Sequence, residues 1–353
     1  MKRFLRVLLI ILLILVLLVA ALLGFLTLTE YRPADREQLT VSGNATRTLS
    51  PGDSFSVLTW NTGYGALGDN ADFFMDGGTG VITADKARVE TNLAGMRDAI
   101  RSLDPDVFFL QEVDTHSTRS HMIDEGAFFA SAFPEYASSH AVNYKTLFVP
   151  YPIPPLGQVD CGIETFSRYG LSEAERIQLP CPFSWPVRLA NLKRCLLLTR
   201  IPIEGQDRDL VIINLHLEAY DDGEGKIAQT KMLASILQEE VAKGNSVIAG
   251  GDFNQVFSSV DASMYPHYEG TWQMGQIDVD SFGSDFSFLM DTSSPTCRSL
   301  DRPYAGADPE DFQYYMIDGF IVSSDLNVEQ VQTLSLDFAA TDHIPVMLKV
   351  TLP

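Results

Sequence analysis

Short apolar runs, each closed by turn-forming residues, recur along most of the chain. They are rich in Val, Ile, Leu and Phe, which is typical of β-strands. Two longer segments, 84–103 and 226–242, instead repeat apolar residues every three to four positions and predict helices. The predicted strands cover residues 55–60, 107–110, 194–199, 210–217, 246–249, 314–322 and 344–350. Because strands and helices are mixed and no internal repeat interrupts them, we predict one α/β domain over residues 54–353.

The first 28 residues carry a different pattern. Three basic residues within positions 1–6 precede an uncharged apolar stretch at 7–28, which is long enough to cross a hydrocarbon core of about 30 Å as a helix. Positive charge before the span predicts that residues 1–6 stay in the cytoplasm and the rest lies outside. A cleaved signal peptide is the alternative, but its apolar region is usually shorter, and no convincing small-x-small site precedes Glu30. We therefore expect a retained single-pass transmembrane helix.

Two segments lack apolar periodicity. Residues 29–53 are polar and rich in Pro and Gly, which indicates a linker. Residues 144–186 contain many prolines and predict a loop-rich region with one short strand at 162–166. Within it, the apolar segment 147–156 either forms a rim that touches lipid or frames a substrate, or packs as a loop on its own domain.

Charge and cysteine content narrow the classes of function. The 46 acidic and 25 basic residues give a formal net charge of -21, so an evenly charged surface would repel duplex nucleic acid. No CxxC pair and no histidine at zinc-finger spacing occur, which argues against a structural zinc site. An extracytoplasmic location would permit disulfides, with Cys161 and Cys181 as the nearest candidate pair, whereas Cys195 lies in an apolar run and indicates a buried thiol.

Six short motifs place polar side chains at or near the predicted strands. Glu112 follows a buried strand, where a carboxylate is costly unless it is paired or bound to a metal. Asn214 and His216 alternate with apolar residues and therefore share one face of a strand. In chain order the motifs are Asn61-Thr62-Gly63, Gln111-Glu112, Asn214-Leu215-His216, Gly250-Gly251-Asp252-Phe253-Asn254, Asp318 and Asp342-His343.

The later motifs contain groups suited to phosphoryl transfer. The two glycines before Asp252 let the backbone approach a ligand, and Asp252 and Asn254 can point the same way. Asp318 interrupts a predicted apolar strand, which indicates that a nearby group pairs with its carboxylate. His343 can exchange a proton near neutral pH, and a buried carboxylate can orient it. Together the motifs supply carboxylates for a hard divalent cation, amides for phosphate oxygens and two histidines.

The motifs, in this order, resemble those of the endonuclease/exonuclease/phosphatase superfamily, which has the deoxyribonuclease-I-like fold. The resemblance covers about residues 54–353. It implies an α/β (α+β) four-layer sandwich of two packed mixed β-sheets flanked by helices, with the site where strand ends converge at one edge. It also implies a Mg²⁺ cofactor, with Mn²⁺ or Ca²⁺ as alternatives. Glu112 would be the main metal ligand, with Asn61 and Asp342 helping directly or through water.

The same resemblance implies catalytic roles. His343, oriented by Asp318, would be the general base or a phosphate-stabilising group. Asp252 would align or activate the attacking water, and Asn254 would bind a phosphate oxygen. His216 would stabilise the phosphate or protonate the leaving oxygen. Which group takes the proton stays open at this point.

We expect a membrane-anchored, extracytoplasmic, metal-dependent phosphoesterase, and we expect a monomer. Its substrate would be a phosphodiester or phosphomonoester of a lipid head group or another small phosphorylated molecule. The acidic charge disfavours nucleic acid as a partner, and the Trp-Cys-Asp-Arg type signature of inositol polyphosphate 5-phosphatases is absent. The alternatives are an anchored nuclease of the same chemistry and a binding protein that kept the fold but lost activity. Arg168 and Lys145 are candidate phosphate-contacting cations.

Overall fold

The structure is a computed structural model that describes residues 1–221, 223–265 and 267–353. Within these residues the α-helices are α1 (Lys2–Leu28), α2 (Lys86–Leu103), α3 (Glu125–Ala132) and α4 (Glu224–Ala242). The strands are β1 (Arg36–Gln38), β2 (Ser42–Gly43), β3 (Ser54–Asn61), β4 (Val107–Asp114), β5 (Ala137–Val149), β6 (Gly157–Ser167), β7 (Glu173–Gln178), β8 (Cys195–Pro202), β9 (Asp209–His216), β10 (Ser246–Asp252), β11 (Gln255–Phe257), β12 (Gly275–Ile277), β13 (Phe286–Leu289), β14 (Cys297–Arg298), β15 (Tyr314–Tyr315), β16 (Asp318–Ser323), β17 (Asn327–Thr333) and β18 (Val346–Thr351).

Two seven-stranded mixed sheets form the centre of the domain. One has the strand order β1-β7-β8-β9-β10-β16-β13, and the other has the order β17-β18-β3-β4-β6-β5-β2. Apolar side chains from both sheets join in one buried cluster, to which β3 contributes Phe55 and Val57 and β9 contributes Leu210 and Ile212. This cluster holds the sheets face to face.

Helices cover the outer faces of both sheets. Leu233 of α4 packs in a second cluster with Val211 and Ile213 of β9, and Leu93 of α2 packs in a third cluster with Leu58 of β3. Because alternate residues of one strand enter different clusters, both faces are buried, which explains the continuous apolar runs in the sequence. The predicted four-layer sandwich is therefore confirmed.

A buried polar bridge crosses between the sheets. Asn214 of β9 accepts a hydrogen bond from Nε2 of Gln111 on β4 at 2.8 Å. Its own amide nitrogen donates to the carbonyl oxygens of Leu110 at 3.1 Å and Glu164 at 2.9 Å. Because a buried polar group is costly without its partner, this bridge favours one alignment of the two sheets.

The prediction that residues 144–186 are loop-rich is wrong. β5 has 13 residues and pairs with the 11-residue β6 as an antiparallel hairpin, and β7 follows it. Four prolines lie in the connection between β5 and β6, and the others lie between β7 and β8. Proline lacks a backbone donor and is therefore placed outside the strands; it marks their ends in this part of the chain.

Two further segments differ from their predicted structure. The predicted strand at 314–322 is divided, because β15 pairs with β14 in a small separate sheet and β16 joins the large sheet. Asp318 therefore begins a strand instead of interrupting one. The segment at 29–53, predicted to be a linker, contributes β1 and β2, which pair with β7 and β5 at the edges of the two large sheets.

The four cysteines are unpaired. Cys161, Cys195 and Cys297 are buried and Cys181 is exposed. The buried thiol predicted for Cys195 is confirmed, and the candidate Cys161–Cys181 disulfide is not formed.

Helix α1 is long and apolar enough to cross a membrane, and none of its most apolar window is buried against the domain. A signal sequence near the N-terminus can also meet these two criteria. The end of the helix nevertheless contacts the domain, since Leu26 is buried and the Trp185 indole Nε1 donates to Oγ1 of Thr27 at 3.2 Å.

Replacing Asn214 with Leu should destabilise the fold. The substitution conserves size but leaves the Gln111 amide and two backbone carbonyls without their partner, so we expect a loss of about 2–4 kcal/mol in the free energy of unfolding. Thermal unfolding of the full-length protein in mild detergent measures it. Thr199→Val is the control, because the Thr199 hydroxyl makes one long 3.4 Å bond to the Ile212 carbonyl oxygen. Equal melting temperatures for the two variants would contradict the bridging role.

Candidate active site

The first large sheet brings three polar side chains to one edge. β9 and β10 run parallel, and His216 lies directly opposite Asp252 at their carboxyl ends. β16 runs antiparallel to β10 and begins at Asp318, which also lies opposite Asp252. The topology therefore places Asp252 between His216 and Asp318.

The second large sheet brings Asn61 and Glu112 to the same edge. β3 ends at Asn61, and the parallel strand β4 carries Glu112 one residue beyond the partner of Asn61. The pairing of β4 with β6 loses register between Leu110 and Val113, and Glu112 has a positive φ of 56°. An irregularity of this kind redirects a side chain, and here Glu112 faces the cavity that contains Asp252.

The segment before β18 completes the edge. The Thr341 hydroxyl donates to the backbone carbonyl of Asn61 at 3.2 Å, and the Trp60 indole Nε1 donates to the carbonyl of His343 at 3.1 Å. These bonds connect the segment to β3, which holds Asp342 and His343 beside the strand ends.

Asp252 is the centre of the hydrogen-bonded cluster. Its Oδ2 accepts from Nδ2 of Asn61 at 3.0 Å, and its Oδ1 accepts from the backbone N–H of Asn254 at 2.9 Å. The Nε2 atoms of His216 and His343 lie 3.5 and 3.8 Å from Oδ2. One carboxylate thus contacts groups from both sheets.

The two histidines are held in different charge states. His343 Nδ1 lies 2.9 Å from Oδ2 of Asp318. Burial alone would lower the pKa of His343, but Cys297 and the Asp318 carboxylate outweigh it and raise that pKa well above its ordinary value. Burial lowers the pKa of His216 well below its ordinary value, and the charge of Arg194 adds to this effect. At neutral pH His343 is therefore charged and His216 is neutral.

Two carboxyl groups of the strand-end motifs, Glu112 and Asp252, have raised pKa values. Burial raises the pKa of Glu112 to about 7, with the Arg119 charge opposing this shift and the Asp342 charge adding to it. Burial and the charge of Asp318 raise the pKa of Asp252 to about 6. The edge therefore concentrates acidic groups in an environment where their negative charge is poorly solvated.

The residues at this edge fit a hard divalent cation. Among the described residues the Glu112 carboxylate accepts no hydrogen bond, and it lies 4.0 Å from Nε2 of His216. In the part of the chain that the structure describes, Asn61 Oδ1 accepts the backbone N–H of Gly63 alone, at 3.0 Å, so it keeps a free lone pair. Carboxylate and amide oxygens are the ligands that Mg²⁺ and Ca²⁺ prefer. A Cβ atom at residue 63 would lie 3.0 Å from Oδ1 of Asp342, so glycine allows the close approach.

Sequence reasoning missed a second layer of charged residues. Arg119 donates two hydrogen bonds of 3.0 Å to Asp114 and stacks 3.6 Å above the Tyr64 ring. All three are buried. Asp76 accepts from the Tyr220 hydroxyl at 3.2 Å on another wall of the cavity. Asp114 ends β4, but Arg119, Tyr64, Asp76 and Tyr220 lie in connections, where no spacing in the sequence marked them.

The two cations proposed from the sequence lie elsewhere. Arg168 pairs with Asp104, and Lys145 pairs with Asp160 at 2.6 Å. Neither lines the cavity. The arginines that do are Arg119, Arg194 and Arg298.

The site opens into a cavity of about 770 Å³, within the range of about 300–1,000 Å³ typical of ligand sites. Asp318 does not line the cavity; it lies behind His343. The other residues predicted for the site all line it, namely Asn61, Glu112, His216, Asp252, Asn254, Asp342 and His343.

The two-sheet sandwich with polar side chains at converging strand ends places the protein among the deoxyribonuclease-I-like proteins. The chain belongs to the endonuclease/exonuclease/phosphatase family, whose sequence model matches residues 58–343. No curated protein sequence matches it.

Solved structures share the fold at low sequence identity. An endonuclease/exonuclease/phosphatase from Beutenbergia cavernae is 17% identical, with a TM-score of 0.57 over 85% of this chain and 72% of that one. TDP2 from D. rerio, complexed with single-strand DNA product, is 15% identical, with a TM-score of 0.53 over 85% and 99%. The human Nocturnin catalytic domain with bound sulfate is 18% identical, with a TM-score of 0.52 over 89% and 98%. At these identities the likeness concerns the fold alone.

Replacing Glu112 with Gln should remove stabilisation by divalent metal. A cation that binds only the folded state raises stability with the logarithm of its concentration once this exceeds the dissociation constant, by about 2.7 kcal/mol at a hundred times that constant. We expect Mg²⁺ or Mn²⁺ to raise the melting temperature of the wild type and to have no effect on Glu112→Gln. The control is Glu125→Gln, because burial raises the pKa of Glu125 well above its ordinary value and keeps it neutral. An unchanged metal response in Glu112→Gln would show that the ion binds elsewhere.

Proposed function

We propose that the protein is a membrane-anchored, extracytoplasmic phosphoester hydrolase that depends on a divalent cation. Mg²⁺ is the expected ion, with Mn²⁺ or Ca²⁺ as alternatives. The observation that carries the proposal is the cluster around Asp252, where oxygen ligands and two histidines of different charge share one buried edge. The proposed substrate is a phosphate ester of a lipid head group or another small phosphorylated molecule.

The proposed metal ligands are Glu112, Asn61 and Asp342, which act directly or through water. When bound, the cation would polarise the phosphate and neutralise the charge that develops on its oxygens. The free carboxylate of Glu112 supports its place as the main ligand. Partial burial of that carboxylate makes its negative charge less favourable, and a bound cation would offset this cost.

Asp252 is the proposed proton acceptor. Its pKa of about 6 leaves it ionised at neutral pH but close enough to that pH to accept a proton. The hydrogen bonds from Asn61 and Asn254 fix the carboxylate, so it can orient the attacking water and take its proton.

The histidines take complementary parts in the proposed mechanism. His343, held charged by Asp318, would stabilise the negative phosphate, which is the second of the two roles that the resemblance left open. His216 is neutral, and it would donate the N–H of Nε2 to a phosphate or leaving-group oxygen. Asn254 would hold a phosphate oxygen.

The apolar helix α1 supports the proposed location. Positive residues before the span favour a cytoplasmic N-terminus and an extracytoplasmic domain. The site would then lie close to lipid head groups. A nuclease is the second candidate, because the D. rerio relative is complexed with a DNA product, but a net charge of -21 opposes binding of a polyanion.

The test is a panel of phosphate esters with Mg²⁺, Mn²⁺ and Ca²⁺, using the full-length protein because β1 and β2 lie within the first 53 residues. Phosphate release from small or lipid esters supports the proposal. Salt-sensitive cleavage of plasmid DNA at comparable rates would favour the nuclease. Binding of one ester without turnover of any would favour a binding protein that lost activity.

His343→Ala should reduce turnover by about 10²–10⁴-fold, the contribution typical of a group that assists proton transfer or charge stabilisation. Initial rates at saturating Mg²⁺ measure the change, with circular dichroism to confirm folding. His116→Ala is the matched control, because His116 is exposed. A loss of less than about threefold in His343→Ala would exclude His343 from the mechanism.

Activity should depend on pH through Asp252. Its raised pKa means that the neutral carboxyl dominates below about pH 6 and the active carboxylate dominates above it. At saturating Mg²⁺, which would keep the Glu112 carboxylate ionised despite its raised pKa of about 7, the rate should rise as pH increases through about 6 and stay high at neutral pH, where His343 keeps its proton. A profile of kcat/KM against pH measures this. A rate that increases as pH falls below 6 would contradict Asp252 as proton acceptor.

A further inference from the structure

The end of helix α1 is fixed to the domain by polar contacts. The buried Glu30 carboxylate, directly after the helix, pairs with Nε of Arg188 at 3.2 Å and with Nζ of Lys193 at 3.3 Å. The Trp185 indole bonds to Thr27 in the last turn. The helix therefore has a defined direction relative to the site.

The same helix forms one wall of the active-site cavity. Leu22, Leu23 and Leu26 line it together with apolar residues of the 147–156 segment. Leu22 lies six residues before the end of α1 at Leu28, or about 9 Å along the helix axis. If α1 spans a membrane, this wall lies at the boundary between hydrocarbon and head groups.

The cavity has two chemically different ends. One end carries the proposed metal ligands and histidines, and the other is lined by apolar side chains such as Val149, Leu156 and Val187. A phosphate group is polar and charged, so it makes no favourable contact with the apolar end. A molecule with a phosphate ester at one end and a hydrocarbon chain at the other matches both.

Exposed apolar residues surround the mouth. Ile153 is 94% exposed and Tyr151 is 67% exposed, and both lie in the connection between β5 and β6. Trp185 and Val187 are more than half exposed beside the end of α1. Aromatic and aliphatic side chains in such a group are favoured at a membrane interface and costly in water. The segment therefore matches the lipid-touching rim, one of its two predicted roles.

We propose that the apolar end of the cavity binds the hydrocarbon chain of the substrate, which is a membrane lipid phosphate ester. The chain passes between α1 and the 147–156 segment without crossing water, and the phosphate then reaches the cluster at Asp252. This inference rests on the proposed function and narrows its substrate from small phosphorylated molecules to esters with a long chain.

The experiment uses two series of substrates, alkyl 4-nitrophenyl phosphates and alkyl phosphates, with chains of about 1, 4, 8 and 12 carbons. Each burial of a methylene group contributes about 0.8 kcal/mol, or about fourfold in affinity. For the full-length protein in lipid nanodiscs, we expect kcat/KM to rise at least about 100-fold from the methyl to the dodecyl ester. The dodecyl ester also partitions into the nanodisc lipid, which the methyl ester does not, so the change of this ratio between the wild type and the cavity variants is what reports binding of the chain in the cavity.

Two variants test the location of the chain. Ala190→Phe fills the apolar end, since Ala190 lines the cavity, and Val187→Lys places a charge at its exposed mouth. Each should lower the dodecyl-to-methyl ratio by about tenfold or more. Because Val187 is exposed, its substitution should not prevent folding. Ala87→Phe, at an exposed position on α2, is the matched control and should keep the wild-type ratio.

The outcomes separate this inference from the proposed function. Equal kcat/KM for methyl and dodecyl esters would overturn the chain-binding cavity and leave the hydrolase intact. A steep chain-length dependence that both variants retain would also overturn it, because the chain would bind elsewhere. Absence of turnover with every ester and every metal would overturn the hydrolase itself, and this inference with it.

Discussion

The hydrogen bond from Asn61 to Asp252 joins the ends of strands that belong to different sheets, and the site requires this alignment. Nothing local enforces it, because the two residues are far apart in the sequence. The alignment comes instead from the apolar cluster between the sheets and from the Gln111–Asn214 bond that crosses it. Apolar packing tolerates small shifts, whereas a buried amide bonds well in one geometry, so the polar bridge sets the register.

Burial at this edge determines which group can take which role. The same burial that makes the carboxyls of Glu112 and Asp252 harder to ionise would lower the pKa of an isolated histidine and leave it neutral. His343 escapes because Cys297 and the Asp318 carboxylate, 2.9 Å from its Nδ1, raise its pKa, while burial and the charge of Arg194 lower the pKa of His216. The two histidines thus differ in charge because their neighbours differ. This cluster of poorly solvated charge is the arrangement expected of a functional site.

The sequence predicted best those features that depend on strand ends. Glu112 and Asp252 follow apolar runs directly, and strand ends in a sandwich meet at one edge. The sequence could not reveal Arg119, because its partners Asp114 and Tyr64 meet it through the path of a connection and not through any periodic spacing. The prolines of residues 144–186 misled because proline excludes a strand only at its own position. The residues on either side of them pair in β5, β6, β7 and β8.

If α1 spans a membrane as proposed, its docked end matters more for orienting the domain than for attaching it. A flexible tether would raise the local concentration of the domain near a membrane but would let the site face any direction. Because the whole chain has a net charge of -21, a mobile domain would be repelled by anionic lipid head groups and could rotate its site away from them. The pairing of Glu30 with Arg188 and Lys193 opposes that rotation, because turning the domain would break a buried ion pair. The helix therefore supplies a wall of the cavity and also fixes the direction in which that cavity opens.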